Sequence, residues 1–283
     1  MNPSRVGIIG AGTMGSGIAQ VCATSAIPVV MLDVSAAALE RGRAAIATSL
    51  ERLVKKERLS AADRQDALAR IETTTDLSAL AGCDFVIEAA TENEALKVKL
   101  LTDLDAMLPP EAYIATNTSS ISITRLAAAT RRPERFIGMH FFNPVPLMAL
   151  VELIRGVATD DQTVAQARAL AERLGKTAIV VRNSPGFVVN RILCPMINEA
   201  IFCLQEGLAS AEDIDAGIKL GCNHPIGPLA LADMIGLDVM LAVMEVFYAG
   251  FNDPKYRPAP LLRELVAAGH LGRKTGRGIY RYG

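Results

Sequence analysis

The chain of 283 residues has almost no net charge, few histidines and no long apolar run. Each shortage removes a class of function. With 29 basic and 30 acidic side chains, a net charge of −1 and no extended basic segment, nothing resembles a nucleic-acid footprint. The one cationic cluster, Lys55-Lys56-Glu57-Arg58, is short and mixed in sign. No apolar segment reaches bilayer-spanning length, so no membrane partner is expected. The five cysteines (Cys22, Cys83, Cys194, Cys203 and Cys222) are odd in number, scattered and without C-x-x-C spacing. That excludes a disulfide framework and a cysteine-based metal site, and fits reduced thiols in a cytoplasmic chain. The first strand pattern starts at Arg5, which leaves no room for a signal peptide. Internal repeats and low-complexity segments are absent. Histidine occurs only at 140, 224 and 270, so imidazole chemistry has few candidate groups.

Apolar residues make up 51% and charged residues 21%, the balance of a folded chain long enough for one large domain or two ordinary ones. The most informative segment comes first. Arg5-Val6-Gly7-Ile8-Ile9 reads as a buried strand, Gly10-Ala11-Gly12-Thr13-Met14-Gly15 as a tight turn, residues 16–26 as a helix and 29–32 as a second strand ending on Asp33. Strand, G-x-G-x-x-G, helix, strand and acid is the order a dinucleotide site requires. Gly10 permits the sharp turn, Gly12 lets backbone approach a pyrophosphate, and Gly15 lets the helix pack closely on the sheet. The free N–H groups of the helix start, around Thr13 and Met14, face the phosphates. Asp33 can accept hydrogen bonds from the adenosine ribose and repels a 2′-phosphate. Val34 stands where an NADP site often carries arginine, so NAD is the expected cofactor.

Beyond Asp33, residues 35–58 carry Leu39, Ile46, Leu50, Leu53 and Val54 on one stripe and read as a long helix. A second, capped helix ends near Arg70. Strand patterns follow at 85–89, 113–116, 137–142, 150–154 and 178–181, alternating with helical patterns at 94–107 and 163–174. Short apolar strands alternating with helices signal an α/β, doubly wound parallel sheet. The pattern changes at Asn183-Ser184-Pro185-Gly186, after which only helical periodicity remains, apart from Gly278-Ile279-Tyr280. The expected division is therefore a nucleotide-binding domain at 1–183 and an all-α domain at 184–283. Residues 187–204 form a very broad apolar face, with Pro195 within it and Gly207 closing it. A helix this apolar must be covered on most sides, which leads us to expect a homodimer formed through the helical domain.

Hydride transfer from an alcohol to NAD needs a base for the hydroxyl proton. His270 reads as a solvated residue near the C-terminus and His224, before Pro225, as a turn residue. His140 lies in the strand Ile137-Gly138-Met139-His140-Phe141-Phe142, just before the break Asn143-Pro144-Val145-Pro146. The end of a strand in an α/β sheet faces the cofactor crevice. A strand histidine is also often just a satisfied structural group. Glu152 favours catalysis: an ionisable residue in the otherwise apolar strand Leu150-Val151-Glu152-Leu153-Ile154 needs a buried partner. A histidine–glutamate pair orients the imidazole through one nitrogen and stabilises the imidazolium.

Four segments, Asn117-Thr118-Ser119-Ser120, Gly138-Met139-His140-Phe141-Phe142-Asn143-Pro144, Glu152-Leu153 and Asn183-Ser184-Pro185-Gly186-Phe187-Val188-Val189-Asn190-Arg191, resemble signatures of the L-3-hydroxyacyl-CoA dehydrogenase family. The likeness covers the whole chain and is greatest to the stand-alone bacterial members acting on 3-hydroxybutyryl-CoA. It implies a Rossmann domain, a helical dimerisation domain and an acyl-CoA thioester substrate, oxidised reversibly from the (S)-3-hydroxy to the 3-oxo form. By the same resemblance His140 is the base and Glu152 its polarising partner. Ser119 bonds the reacting oxygen, Asn190 the substrate, and Asn143 stands beside the base and the nicotinamide. Glu92, Lys97 and Lys274 lie along the cofactor, and Lys56 approaches the CoA phosphates.

Simpler roles exist for several of these residues. Ser119 and Ser120 would also serve as caps of a helix starting near Ile121, Glu92 as a favourable charge in a first helical turn, Lys56 as a cation at a helix end and Asn190 as an exposed helix residue. Two other functions share the scaffold: a dehydrogenase of a free hydroxy or sugar acid, and a non-enzymatic, crystallin-like protein. The complete set of Ser119, His140, Glu152 and Asn190 argues against the latter.

Overall fold

The computed structural model describes residues 3–283, which group into two compact units, one ending at Asn183 and the other beginning at Ser184. In the first, eight strands form one sheet: β1 (Val6–Ile9), β2 (Val29–Leu32), β3 (Ile71–Thr74), β4 (Phe85–Glu88), β5 (Tyr113–Thr116), β6 (Phe136–Phe141), β7 (Leu150–Arg155) and β8 (Thr177–Arg182). Their order across the sheet is β3-β2-β1-β4-β5-β6-β7-β8. β1, β2 and β4 are buried at every position, as strands covered by helices on both faces must be. The covering helices are α1 (Thr13–Thr24), α2 (Ala36–Lys55), α3 (Ala61–Ala69), α4 (Glu94–Met107), α5 (Ile123–Ala127) and α6 (Asp161–Arg173). Ser35, Ser60 and Ser122 cap α2, α3 and α5 through their side chains.

The sheet departs from the sequence expectation in two places. β3 has no apolar run to announce it; only Ile71 is buried, because this is an edge strand. And the sheet is not parallel throughout: β6 and β7 run antiparallel. Only residues 142–149 connect them, too few for the crossover that parallel neighbours need. One consequence governs the site: the register sets His140 directly opposite Glu152.

The second unit consists of α7 (Val189–Gln205), α8 (Ala211–Gly221), α9 (Pro228–Ile235), α10 (Leu237–Phe251) and α11 (Pro260–Ala267). Ile197, Ile201, Leu229, Met240, Met244, Phe247 and Leu262 form its core. Two buried carboxylates pin the C-terminal segment to it. Asp233 accepts from the Ile279 and Tyr280 amides and the Tyr282 hydroxyl, while Asp215 accepts from the Leu229 and Ala230 amides and the Tyr280 hydroxyl. Burial and these acids push both tyrosine hydroxyls above their ordinary range. Within the single chain α7 is less enclosed than its composition suggests: Ile192 is 67% exposed.

Candidate active site

The glycine turn joins β1 to α1, and its geometry explains each glycine differently. Gly10 has φ +104, and a Cβ there would meet the Ala89 carbonyl oxygen at 2.6 Å. A Cβ on Gly15 would sit 1.8 Å from the Gly10 carbonyl oxygen. Gly12, the N-cap of α1, faces open space, with nothing within 4 Å of such a Cβ. Two glycines are thus demanded by packing, and the third leaves room for a ligand to reach the backbone. Asp33, at the end of β2, accepts the Ala11 amide at 2.8 Å and the Ser35 amide at 3.0 Å, which fixes its carboxylate beside the turn. The turn, Met14, Asp33, Val34, Ala89 to Thr91, Leu96 and Leu100 line a cleft of about 520 Å³. Apolar walls for a purine, an acid for ribose hydroxyls and free amides for a pyrophosphate fit NAD.

Along the same sheet edge stands the imidazole. His140, near the end of β6, and Glu152, on β7, are both buried, and Nδ1 of His140 lies 2.7 Å from Oε2 of Glu152. The imidazole also packs against the Phe142 ring, with centroids 4.6 Å apart. A carboxylate on one nitrogen fixes the tautomer and the orientation of the ring.

Between turn and imidazole the loop after β5 is drawn together by Glu92. Its Oε1 accepts from the hydroxyls of Thr118, Ser119 and Ser120 and from the amides of Ser119 and Ser120. Burial alone would raise this carboxyl, but the Thr118 hydroxyl, the Lys97 ammonium and the Ser119 amide outweigh it and hold it below the usual range. Ser119 and Ser120 are therefore not helix caps; Ser122 fills that role two residues later. Nor does Glu92 lie in a helical turn, since α4 starts at Glu94 with Asn93 as its cap.

Lys97 is buried, with Nζ 2.7 and 2.8 Å from the two oxygens of Glu88 and 3.8 Å from Glu92. Glu88 also accepts the Ala90 amide and the Thr116 hydroxyl. This acid, which the sequence reading missed, ties Lys97 down beneath the cleft. Its one signal was a carboxylate closing the apolar strand Phe85-Val86-Ile87-Glu88. Asn143 is exposed in the β6–β7 connection, and Lys56 is exposed at the end of α2. Asn190 and Lys274 belong to the second unit: Asn190 is half-buried in the first turn of α7, and Lys274 bonds Asp238 at 2.6 Å. The Gly10–Gly15 turn, Asp33, Glu92, Lys97, Ser119, His140, Asn143 and Glu152 thus lie on one unit. Among the described residues no group of histidine, cysteine and acidic side chains is arranged to hold a metal, and no helix is long and apolar enough to cross a membrane.

Fold and cleft together define a Rossmann-type, NAD-dependent oxidoreductase. A model of the 3-hydroxyacyl-CoA dehydrogenase NAD binding domain matches residues 5–184, and a model of that family's C-terminal domain matches residues 186–282. The chain belongs to the 3-hydroxyacyl-CoA dehydrogenase family. It is 56% identical to a 3-hydroxybutyryl-CoA dehydrogenase of Bradyrhizobium diazoefficiens, over 98% of this chain and 95% of that one. Among solved structures, an (S)-3-hydroxybutyryl-CoA dehydrogenase of Ralstonia eutropha superposes with a TM-score of 0.98 at 66% identity, covering all of both chains. A diketoreductase superposes with a TM-score of 0.87 at 30% identity, again over all of both chains.

Proposed function

We propose that this enzyme reversibly oxidises short-chain (S)-3-hydroxyacyl-CoA thioesters, 3-hydroxybutyryl-CoA foremost, to 3-oxoacyl-CoA with NAD. The His140–Glu152 pair carries the reading: a buried imidazole 2.7 Å from a carboxylate, on the sheet edge that holds the nucleotide cleft. The Gly10–Gly15 turn and Asp33 would hold NAD, which would supply the acceptor for the hydride from C3. His140 takes the 3-hydroxyl proton on Nε2, while Glu152 keeps Nδ1 protonated and stabilises the imidazolium that results. Glu92 gathers the Ser119 loop through the Ser119 and Ser120 amides, and the Ser119 hydroxyl turns from Glu92 to donate to the substrate oxygen as it becomes a carbonyl. On the family resemblance we assign Asn143 to the space beside the base and the nicotinamide, Asn190 to the substrate and Lys56 to the CoA phosphates. Glu92 and Lys97 are assigned to the cofactor side of the site, as is Lys274.

The acyl carrier separates this reading from its rival. The likeness to a diketoreductase acting on dicarbonyl compounds is what favours the rival, in which the same base and cofactor serve a free hydroxy acid. Oxidation rates on 3-hydroxybutyryl-CoA and on free 3-hydroxybutyrate decide between them. We expect kcat/KM to favour the thioester by at least about a hundredfold, the scale of binding energy recruited from remote substrate parts. Equal rates would overturn the thioester assignment. We also propose a homodimer formed by the helical unit, supported by the exposure of Val188, Ile192, Met234 and Val239 in the single chain.

A further inference from the structure

The residue before β8 is a buried lysine that the mechanism does not use. Lys176 donates from Nζ to the carbonyl oxygen of Val145 at 2.6 Å and to that of Met148 at 2.8 Å. Among the described residues it forms no salt bridge with a carboxylate, and burial pulls its pKa below the ordinary lysine range. A buried ammonium is expensive to desolvate and is tolerated only where acceptors replace water. Here the two acceptors are both carbonyls of one loop.

That loop, residues 142–149, joins the strands of His140 and Glu152. It folds on itself through the Leu147 and Met148 amides, which both donate to the Pro144 carbonyl. Its end is tied to β8, since the Thr177 amide donates to the Ala149 carbonyl at 2.7 Å. On another side α1 presses against it: a Cβ on Gly17 would stand 2.9 Å from the Val145 Cβ. Asn143 to Pro146 form one wall of a second cleft, of about 380 Å³, whose other walls include Gly12, Thr13, Gln20, Arg41 and Ser49. Val145 is buried, but Leu147 and Met148 remain exposed, so the second half of the loop has little apolar burial to hold its shape.

We infer that Lys176 is a positioning residue: its ammonium bolts the β6–β7 loop in place and thereby fixes Asn143 and the Val145–Pro146 wall of the cleft. This rests on the dehydrogenase reading, in which Asn143 stands beside the base. The test is Lys176→Met, which keeps the apolar stem and removes the donors. With acetoacetyl-CoA and NADH, kcat/KM should fall about tenfold or more, the usual result of a small misplacement near the chemistry. The NADH dissociation constant, read by fluorescence titration, should stay within about twofold, because Lys176 does not line the cleft around Asp33. Hydrogen exchange of the Leu147 and Met148 amides should accelerate about tenfold or more, with the β6 and β7 amides unchanged.

Unaltered kcat/KM with unaltered exchange overturns the proposal. So does a joint decline of NADH affinity, melting temperature and kcat/KM, which marks general unfolding. If Lys176→Met does not fold, Lys176→Gln undergoes the same measurements and its result stands. Should the wild-type enzyme leave acetoacetyl-CoA untouched, the dehydrogenase reading fails, and loop exchange alone decides whether Lys176 holds the loop.

Discussion

At the residue scale, the proposed chemistry depends on one imidazole, His140, to exchange a proton and one carboxylate, Glu152, to keep it aligned. His140→Ala removes the proton acceptor without touching the turn or Asp33. Turnover should drop by about 10²–10⁴, while NADH titration should give a dissociation constant near that of the wild type. Near-normal reduction of acetoacetyl-CoA by this variant would sink the assignment of the base. The role proposed for Asp33 is different: both of its oxygens are aligned by backbone amides, and its further lone pairs would serve ribose hydroxyls. Asp33→Ala should raise KM for NAD and erode the preference over NADP by about tenfold or more, since one lost charged hydrogen bond is worth that much. Competition assays with the two cofactors measure it, and an unchanged ratio would mean that selectivity lies elsewhere. Lys97 shows what a residue-by-residue reading cannot supply. Its place beneath the cleft follows from Glu88, a neighbour nine positions away in sequence.

At the scale of elements, the β1–α1 turn holds glycines that packing demands, Gly10 and Gly15, and one with open space around it, Gly12, within six residues. Gly15→Ala forces a Cβ into the Gly10 carbonyl oxygen, so its melting transition should fall by an amount equal to about 1–3 kcal/mol or more of overpacking. Gly12→Ala meets nothing and should melt with the wild type while binding NADH more weakly. Calorimetry and NADH titration on the pair distinguish the two roles, and a Gly15→Ala variant as stable as wild type would contradict the close packing described here. The β6–β7 hairpin is the other decisive element. From the sequence both strands were visible, and so was the oddity of Glu152, but the pairing direction was not. A short connection produced an antiparallel pair in a parallel sheet, and that register brought histidine and glutamate face to face.

For the whole molecule, two expectations concern surfaces and pH. If the helical unit pairs two copies, the enzyme should sediment as a dimer, and Ile192→Asp should shift it toward monomer; a wild-type monomer at micromolar concentration would refute the interface. Acid should destabilise the fold through carboxyls held low in the native state. Burial would raise Asp105, but the Arg131 amide and side chain and the Arg132 guanidinium outweigh it and hold it low; Glu92 is likewise held below its ordinary value. Such groups bind more protons when unfolded, so the stability they contribute is complete above their ordinary values of 3.8 and 4.5 and is lost as the pH falls through and below them. Melting temperatures recorded from pH 6 down to about pH 3 should decline below about pH 5. A flat profile would deny these carboxyls their role.

Legible in the amino-acid sequence alone were NAD as the cofactor, the change from mixed to purely helical structure near Asn183, and His140 with Glu152 as candidates for base and partner. These are local matters: glycine spacing, apolar periodicity, and a costly charge in an apolar strand can be read without knowing what lies across the sheet. What each polar group touches emerges from the folded chain. It showed that Glu92 gathers Ser119 and Ser120, that Glu88 holds Lys97, that Lys274 bonds Asp238, and that Lys176 reaches the loop ahead of β7. The reason is geometric: hydrogen bonds form across residues brought near by strand order and loop length, and neither leaves a mark on composition or periodicity.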